Sequence, residues 1–352
     1  MDPDRRSTAI ALALGVTGAV LLLAALAVFS ASSGYGYDLG AYLSAAARVA
    51  AGGTPYQPQT LNGPFNPGPP GLYLYPPPLA VLLAAVTRLA TPVVEAGWWI
   101  LRVGLLVVGC AALPVPRWVR GAVLLVLAVS YPTLIDLNLG NVSLLVLVVS
   151  CLTWRWLDRP AGGRLTALAL AVRPTLVVVP LWWLARRQWQ ALAWTVGSGV
   201  ALVVLTLPLV GLGAYADYLT VVRNLSNVTG VTHNVDLASA ALLLGLGPGI
   251  VRPALVLQYA LGVGAVALAL RQDREAGFVM VTVASLLLAP LIWVHYLVVL
   301  ALPAALLAAR GYRWGVLLPL LGWLPEPVLP LVAIAGAYLP LLVGGPEGRR
   351  AG

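Results

Sequence analysis

Gly34-Tyr-Gly-Tyr-Asp38-Leu-Gly-Ala-Tyr42, then Ala51-Gly-Gly-Thr-Pro-Tyr56, then Tyr73-Leu-Tyr75-Pro-Pro-Pro78 are pieces of one polar and aromatic stretch, residues 30–77, set between hydrophobic runs. Its first acid, Asp38, is followed by Leu39, Tyr42, Leu43, Ala46 and Val49, an apolar set at helical spacing. That pattern predicts a short amphipathic helix lying on a membrane surface, with Asp38 at its start. Two readings of Asp38 stand side by side. It is a helix N-cap that accepts backbone N–H bonds, or a carboxylate held at the water–lipid boundary to take a proton.

The runs on either side decide the fold class. The 352 residues are 60% hydrophobic and 9% charged, whereas a soluble domain carries about 25% charged residues. Several apolar runs approach the ~20 residues that cross a bilayer as a helix, and their continuity argues against a closed barrel. The expectation is an all-α, polytopic membrane protein of one domain, 1–352. About twelve spans are read, at 8–29, 79–91, 95–113, 121–135, 141–156, 164–184, 189–210, 250–270, 276–293, 296–310, 313–324 and 327–343. Residues 30–77 and 211–249 form the first and second outer loops.

All 21 basic residues are Arg, scattered in short clusters with no basic stripe, so they read as topology determinants and not as a nucleic-acid surface. Asp4-Arg5-Arg6 places the N-terminus inside, ahead of a retained signal-anchor helix. Arg186-Arg187, Arg271/Arg274, Arg310/Arg313 and Arg349-Arg350 agree with that parse. Arg117/Arg120 and Arg155/Arg159/Arg164 conflict with it. A second parse keeps those clusters inside by making 79–113 a single net crossing and 164–184 a hairpin around Arg173-Pro174. Cys110 and Cys151 lie in apolar runs and read as buried small hydrophobes. Phosphate-loop, dinucleotide, zinc-protease and paired-cysteine motifs are all missing, so no metal and no cofactor is expected.

Within the apolar runs a few polar residues stand out. Arg173, in Leu-Ala-Leu-Ala-Val-Arg-Pro, has no acid nearby in sequence; a charge at membrane depth costs at least ~2.5 kcal/mol and usually meets a polar path or an anion. Its fork suits a phosphate. Snorkelling from a helix end is the plainer alternative. His295, between Trp293 and Tyr296, reads either as an interfacial anchor or as a donor to a phosphate or hydroxyl. His233 and Asn234 lie on the second outer loop. Asp136-Leu-Asn-Leu-Gly140-Asn141-Val-Ser143 reads as a polar turn between apolar helices. Tyr42, Tyr56, Tyr73 and Tyr75 gather in the Asp38 loop, where rings can stack on a sugar. The sequons at Asn141, Asn224 and Asn227 are weak signals.

In order along the chain, the outer Asp38, Gly-Gly-Thr-Pro-Tyr56, Tyr75-Pro-Pro-Pro, Leu-Gly140-Asn141-Val-Ser, Ala-Val-Arg173-Pro174, Asn234-Val-Asp-Leu-Ala-Ser and Ala-Pro290-Leu-Ile-Trp-Val-His295-Tyr resemble family 87 membrane glycosyltransferases. That family has the GT-C fold and includes α-1,2-mannosyltransferases and an arabinofuranosyltransferase. The resemblance, from about 30 to 300, implies inverting transfer of a sugar, mannose first, from a polyprenyl-phosphate donor to a hydroxyl of a glycolipid or lipoglycan acceptor on the outer face. It implies Asp38 as base, Arg173 and His295 as donor-phosphate ligands, and Tyr42, Tyr56, Tyr75, Asn141 and Asn234 as substrate contacts. This chain departs from the family pattern in three places: Arg173 replaces the usual Lys, His295 is a single His, and the polar turn is shortened. An arabinose donor, a flippase of lipid-linked sugars and an inactive assembly partner are the rival readings.

Overall fold

A computed structural model describes residues 3–29, 34–63, 71–225 and 234–345; Asn227 and His233 fall outside them. Among the described residues there is no β-strand, only an isolated bridge between Asn234 and Trp293. The chain begins with α1 (Pro3–Phe29), α2 (Tyr37–Ala50), α3 (Pro58–Leu61), α4 (Pro77–Ala84), α5 (Thr91–Ala112), α6 (Arg117–Val129) and α7 (Tyr131–Leu139). Next come α8 (Ser143–Arg155), α9 (Pro160–Val172), α10 (Val178–Ala185), α11 (Trp189–Leu225) and α12 (Leu237–Leu243). The last are α13 (Val251–Ala269), α14 (Arg274–Leu287), α15 (Ala301–Ala309) and α16 (Leu329–Tyr338), with 3₁₀ turns at Val294–Leu300, Arg313–Trp323 and Glu326–Val328 among others.

Prolines set many of the breaks, because a proline lacks the N–H that a helix interior needs and fits best in the first turn. Pro77, Pro132 and Pro160 each sit in such a first turn. At Ser130–Pro132 the axis bends by 62° between α6 and α7. Ahead of Pro174, Arg173 is extended (φ −149°, ψ 112°), which is where a residue before proline is pushed.

These breaks change the span reading. Among the described residues four helices are long and apolar enough to cross a membrane: Thr8–Ala25 within α1, Thr91–Ala112, Trp189–Leu225 and Pro248–Ala269. A fifth follows if α6 and α7 count as one, so the expected twelve spans are not reached by helix length and composition. The run 79–91 is no span, since α4 ends at Ala84. Within the stretch read as the second outer loop, residues 211–225 are helical beyond a break at Gly211, whose φ of 71° ends the straight part of α11.

Contacts gather the basic clusters at one end. Arg274 pairs with Asp158, Arg186 donates to the Gln272 carbonyl (3.0 Å), and Arg310 binds Asp273 and Glu275. Arg155 reaches the Ala112 carbonyl (3.5 Å). The segment 160–185 therefore starts and finishes at the same end, as a hairpin turning at Arg173-Pro174. The hairpin is the feature that the second of the two parses placed around Arg173-Pro174. Central α14, buried throughout Ala276–Leu287, is apolar all round as a core helix must be. Its 14 residues put about 21 Å between the Arg310 cluster and its far end, where Ser285 and Leu288 line a cavity.

Candidate active site

The cavity, about 910 Å³, is lined by Asp38, Tyr42, Tyr75, Asn141, Arg173 and His295. Six of the eight expected site residues thus meet in one space, from segments that span more than 250 positions of the chain.

Asp38 enters it from the first turn of α2. The cap reading fails there: the N-cap position is Gly36 in the left-handed region, with no side-chain cap bond. Of the apolar set Leu39, Tyr42, Leu43, Ala46 and Val49, all but the half-buried Leu43 are buried, and they pack on α4 and α7 of the protein itself and not on a membrane surface as expected. Asp38 Oδ2 accepts a 2.7 Å hydrogen bond from Asn141 Nδ2. Two features of the next segment set that distance. Gly36 N donates to the Asn138 carbonyl (2.8 Å), and Gly140 packs directly against Leu39. Gly140 closes α7 with φ 79°, and a Cβ there would lie 2.8 Å from Leu39 Cβ. Gly140→Ala is therefore expected to cost about 2 kcal/mol or more, from the left-handed backbone and the collision together. Thermal unfolding in detergent should show a clear drop in midpoint; an unchanged midpoint would refute this account of the turn.

The turn is braced from behind. Arg102 on α5 donates to the carbonyls of Asp136 (2.7 Å) and Leu137 (2.8 Å) in the last turn of α7, the first of which also accepts from Gly140 N and Asn141 N. It also lies 3.8 Å from the Asp136 carboxylate, and both side chains are buried. Trp98 Nε1 donates to the Gly140 carbonyl (2.8 Å). The sequence reading missed Arg102, although it carries the signal that singled out Arg173: a lone arginine in an apolar run.

On the other side of Asn141 stands Arg173, 5% exposed. Its Nη2 donates to Asn141 Oδ1 (2.5 Å) and to Tyr75 Oη (3.4 Å), and its Nη1 donates to Ser143 Oγ (2.9 Å). The guanidinium lies 3.8 Å from the centre of the Tyr296 ring, another residue not foreseen. All these partners are neutral. Among the described residues no carboxylate pairs directly with Arg173; Asp38 and Asp136 act on it only across intervening groups, so it is a buried cation without a direct ion pair on a cavity wall. Buried His295 lines the same wall, and its Nε2 has no hydrogen-bond partner among the described residues.

The amide of Asn141 therefore separates carboxylate from guanidinium. A direct ion pair would hold Asp38 strongly ionised and weaken it as a base. Instead, desolvation pushes Asp38 up to about 6, against opposing pulls from the Asn141 bond, Arg173 and Arg102.

Two expected contacts sit elsewhere. Tyr56, 2% exposed, lies behind the cavity, donates to the Tyr75 carbonyl (2.8 Å) and stacks on Tyr218. Asn234 pairs with Asp236 and accepts from Ile292 N (2.8 Å), so it pins the turn that carries Trp293 and His295. Tyr42 and Tyr75 do line the cavity, ring edge to ring face at 5.0 Å.

Fold and cavity together define a helical protein of membrane character, with a buried cation and a raised carboxyl group sharing one chamber. A family model described as Glycosyltransferase family 87 matches residues 73–303, and the chain belongs to that family: it is a glycosyltransferase. No curated protein and no solved structure matches it. The matched segment includes Tyr75, Asn141, Arg173, Asn234 and His295, and leaves Asp38 and Tyr42 on its N-terminal side.

Proposed function

We propose that the protein transfers a sugar, mannose first, with inversion from a polyprenyl-phosphate donor to a hydroxyl of a lipid-linked glycan on the outer face of the cell membrane. The observation that carries this reading is Arg173: a buried guanidinium with only neutral partners, one amide away from Asp38. A buried charge of this kind is costly unless an anion completes it, and a phosphate matches its fork. In the reaction the acceptor oxygen bonds to the anomeric carbon while the carbon–oxygen bond to phosphate breaks. The electron pair leaves with the polyprenyl phosphate, and the hydroxyl proton passes to Asp38. Arg173 and His295 stabilise the charge on the departing phosphate. Leu72, Leu74, Val222, Leu225 and Leu288 supply apolar wall for the first isoprene units. The outer orientation is supported by the Arg clusters collected at the far end of α14, under the positive-inside rule.

Transfer by purified protein in nanodiscs, from radiolabelled polyprenyl-phosphate mannose to a lipid-acceptor extract, tests this directly. Labelled lipid product supports it; bilayer flux of the donor without product would support the flippase reading instead. A pH profile adds a second arm. A base works ionised, so activity is present above the Asp38 value and lost below it. The acid limb of kcat/KM is expected near pH 6, and Asn141→Ala should move it to higher pH by removing the bond that favours the carboxylate. A flat profile between pH 5 and 8 would remove Asp38 from the proton transfer.

A further inference from the structure

The cavity has a second carboxylate. Glu326 lines it from the turn Glu326–Val328, well past the matched family segment, and is half-buried between Pro325 and Pro327. Proline fixes its own φ and restricts the residue before it, so Glu326 is held in a stiff Pro-Glu-Pro frame and not on a pliable loop. The frame is anchored on both sides. Trp323, three residues earlier, packs on Tyr131 with ring centres 5.0 Å apart and donates to the Val129 carbonyl (2.9 Å). The turn itself packs on α12, and Asn234, which leads into α12, pairs with the backbone of Trp293. Tyr131 and Trp293 are both half-buried and line the same cavity as Glu326.

The chamber thus carries groups of both signs. Arg173 and His295 form the part suited to an anion, whereas a carboxylate repels a phosphate and accepts from hydroxyl groups. Flat aromatic rings with a carboxylate acceptor suit a sugar ring, which offers C–H faces to the one and O–H edges to the other. We propose that Glu326, together with the Tyr131 and Trp293 rings, forms the acceptor subsite of this cavity and takes a neutral, polyhydroxylated sugar ring. The proposal rests on the glycosyl-transfer reading above and adds to it the residue that selects the acceptor. Glu326 takes no part in proton transfer; it binds acceptor hydroxyls and so orients the attacking one toward Asp38.

The test uses full-length protein in nanodiscs, with octyl α-mannopyranoside as acceptor and polyprenyl-phosphate mannose as donor. Glu326→Gln is expected to raise the acceptor KM about ten-fold or more, the loss of a charge-assisted hydrogen-bond pair. Donor KM is expected not to rise. Glu326→Asp should recover part of the acceptor affinity. An unchanged acceptor KM, or a donor KM that rises in parallel, would overturn the assignment. Saturation-transfer NMR with methyl and octyl α-mannopyranoside gives a readout independent of turnover. Loss of both signals in Glu326→Gln supports the subsite, even if the wild type transfers nothing and the donor reading has failed. Equal signals in wild type and variant, or loss confined to the octyl glycoside, would sink it. An unchanged thermal midpoint for Glu326→Gln ties any loss to binding and not to folding.

Discussion

Asp38→Asn is expected to reduce transfer by a factor of 10²–10⁴, the range a positioned general base contributes. The replacement keeps the size of the side chain and one oxygen able to accept from Asn141 Nδ2, so the turn that holds it need not move. It removes the only function the transfer asks of the group, which is to take a proton. Donor binding should persist, because Arg173 keeps its contacts to Ser143, Asn141 and Tyr75. The measurement is initial rate of labelled lipid product beside donor binding on the same preparation. Loss of rate with donor binding intact identifies the base. A variant that retains a tenth or more of wild-type transfer would return Asp38 to a structural role. The acid limb near pH 6 should also disappear from any residual activity.

Arg173→Gln is expected to have the opposite signature. Charge-assisted hydrogen bonds to a phosphate contribute about 1.5–3 kcal/mol each, so donor KM should rise at least ten-fold, with kcat falling as the leaving group loses its stabilising charge. Arg173→Lys should recover only part of this, since a point charge cannot hold Ser143, Asn141 and a phosphate at once as a planar fork does. Donor binding provides the discriminating readout. Arg173→Gln keeps a side chain able to donate to Asn141 or Ser143, whereas Arg173→Met leaves Ser143, Asn141 and Tyr75 without their donor, so the thermal midpoint should fall further in the Met variant. Donor binding by Arg173→Gln equal to wild type would overturn the assignment of Arg173 to the phosphate.

Asn141 connects the two predictions. Its Nδ2 serves Asp38 and Tyr75, and its Oδ1 accepts from Arg173, Ser143 N and Ser143 Oγ, so it hydrogen-bonds to both charged groups. The turn is shorter than the resembled family's pattern, yet it still places an amide between base and cation. With that spacer in place the two charges do not pair directly, and desolvation, opposed by the Asn141 bond, pushes Asp38 up to about 6. Arg102 and Trp98 supply the rigidity this needs, since a small shift of the Gly140 backbone would separate Asn141 from one partner or the other.

Composition and spacing alone settled a good deal. The charged fraction and the continuous apolar runs defined an all-helical chain of membrane character. The apolar spacing after Asp38 predicted the helix α2, though not that protein would cover its apolar face, and Arg173, His295, Asp38 and the Gly140 turn were visible as polar breaks in apolar surroundings. Periodicity did not locate the true helix ends, because prolines at 132 and 174 bend or reverse segments whose hydropathy reads as unbroken. Hydropathy averages over a window and is blind to a single missing N–H. Charge counting left two topologies for residues 79–185. The Arg274–Asp158 and Arg186–Gln272 contacts were needed to choose between them. Whether Asp38 is a cap or a cavity acid, whether Tyr56 and Asn234 face substrate or support the wall, and whether Glu326 joins the chamber depended on which segments pack together. Side-chain direction at a site built from residues 38, 75, 141, 173, 295 and 326 is fixed by packing between distant segments, and local sequence carries no record of it.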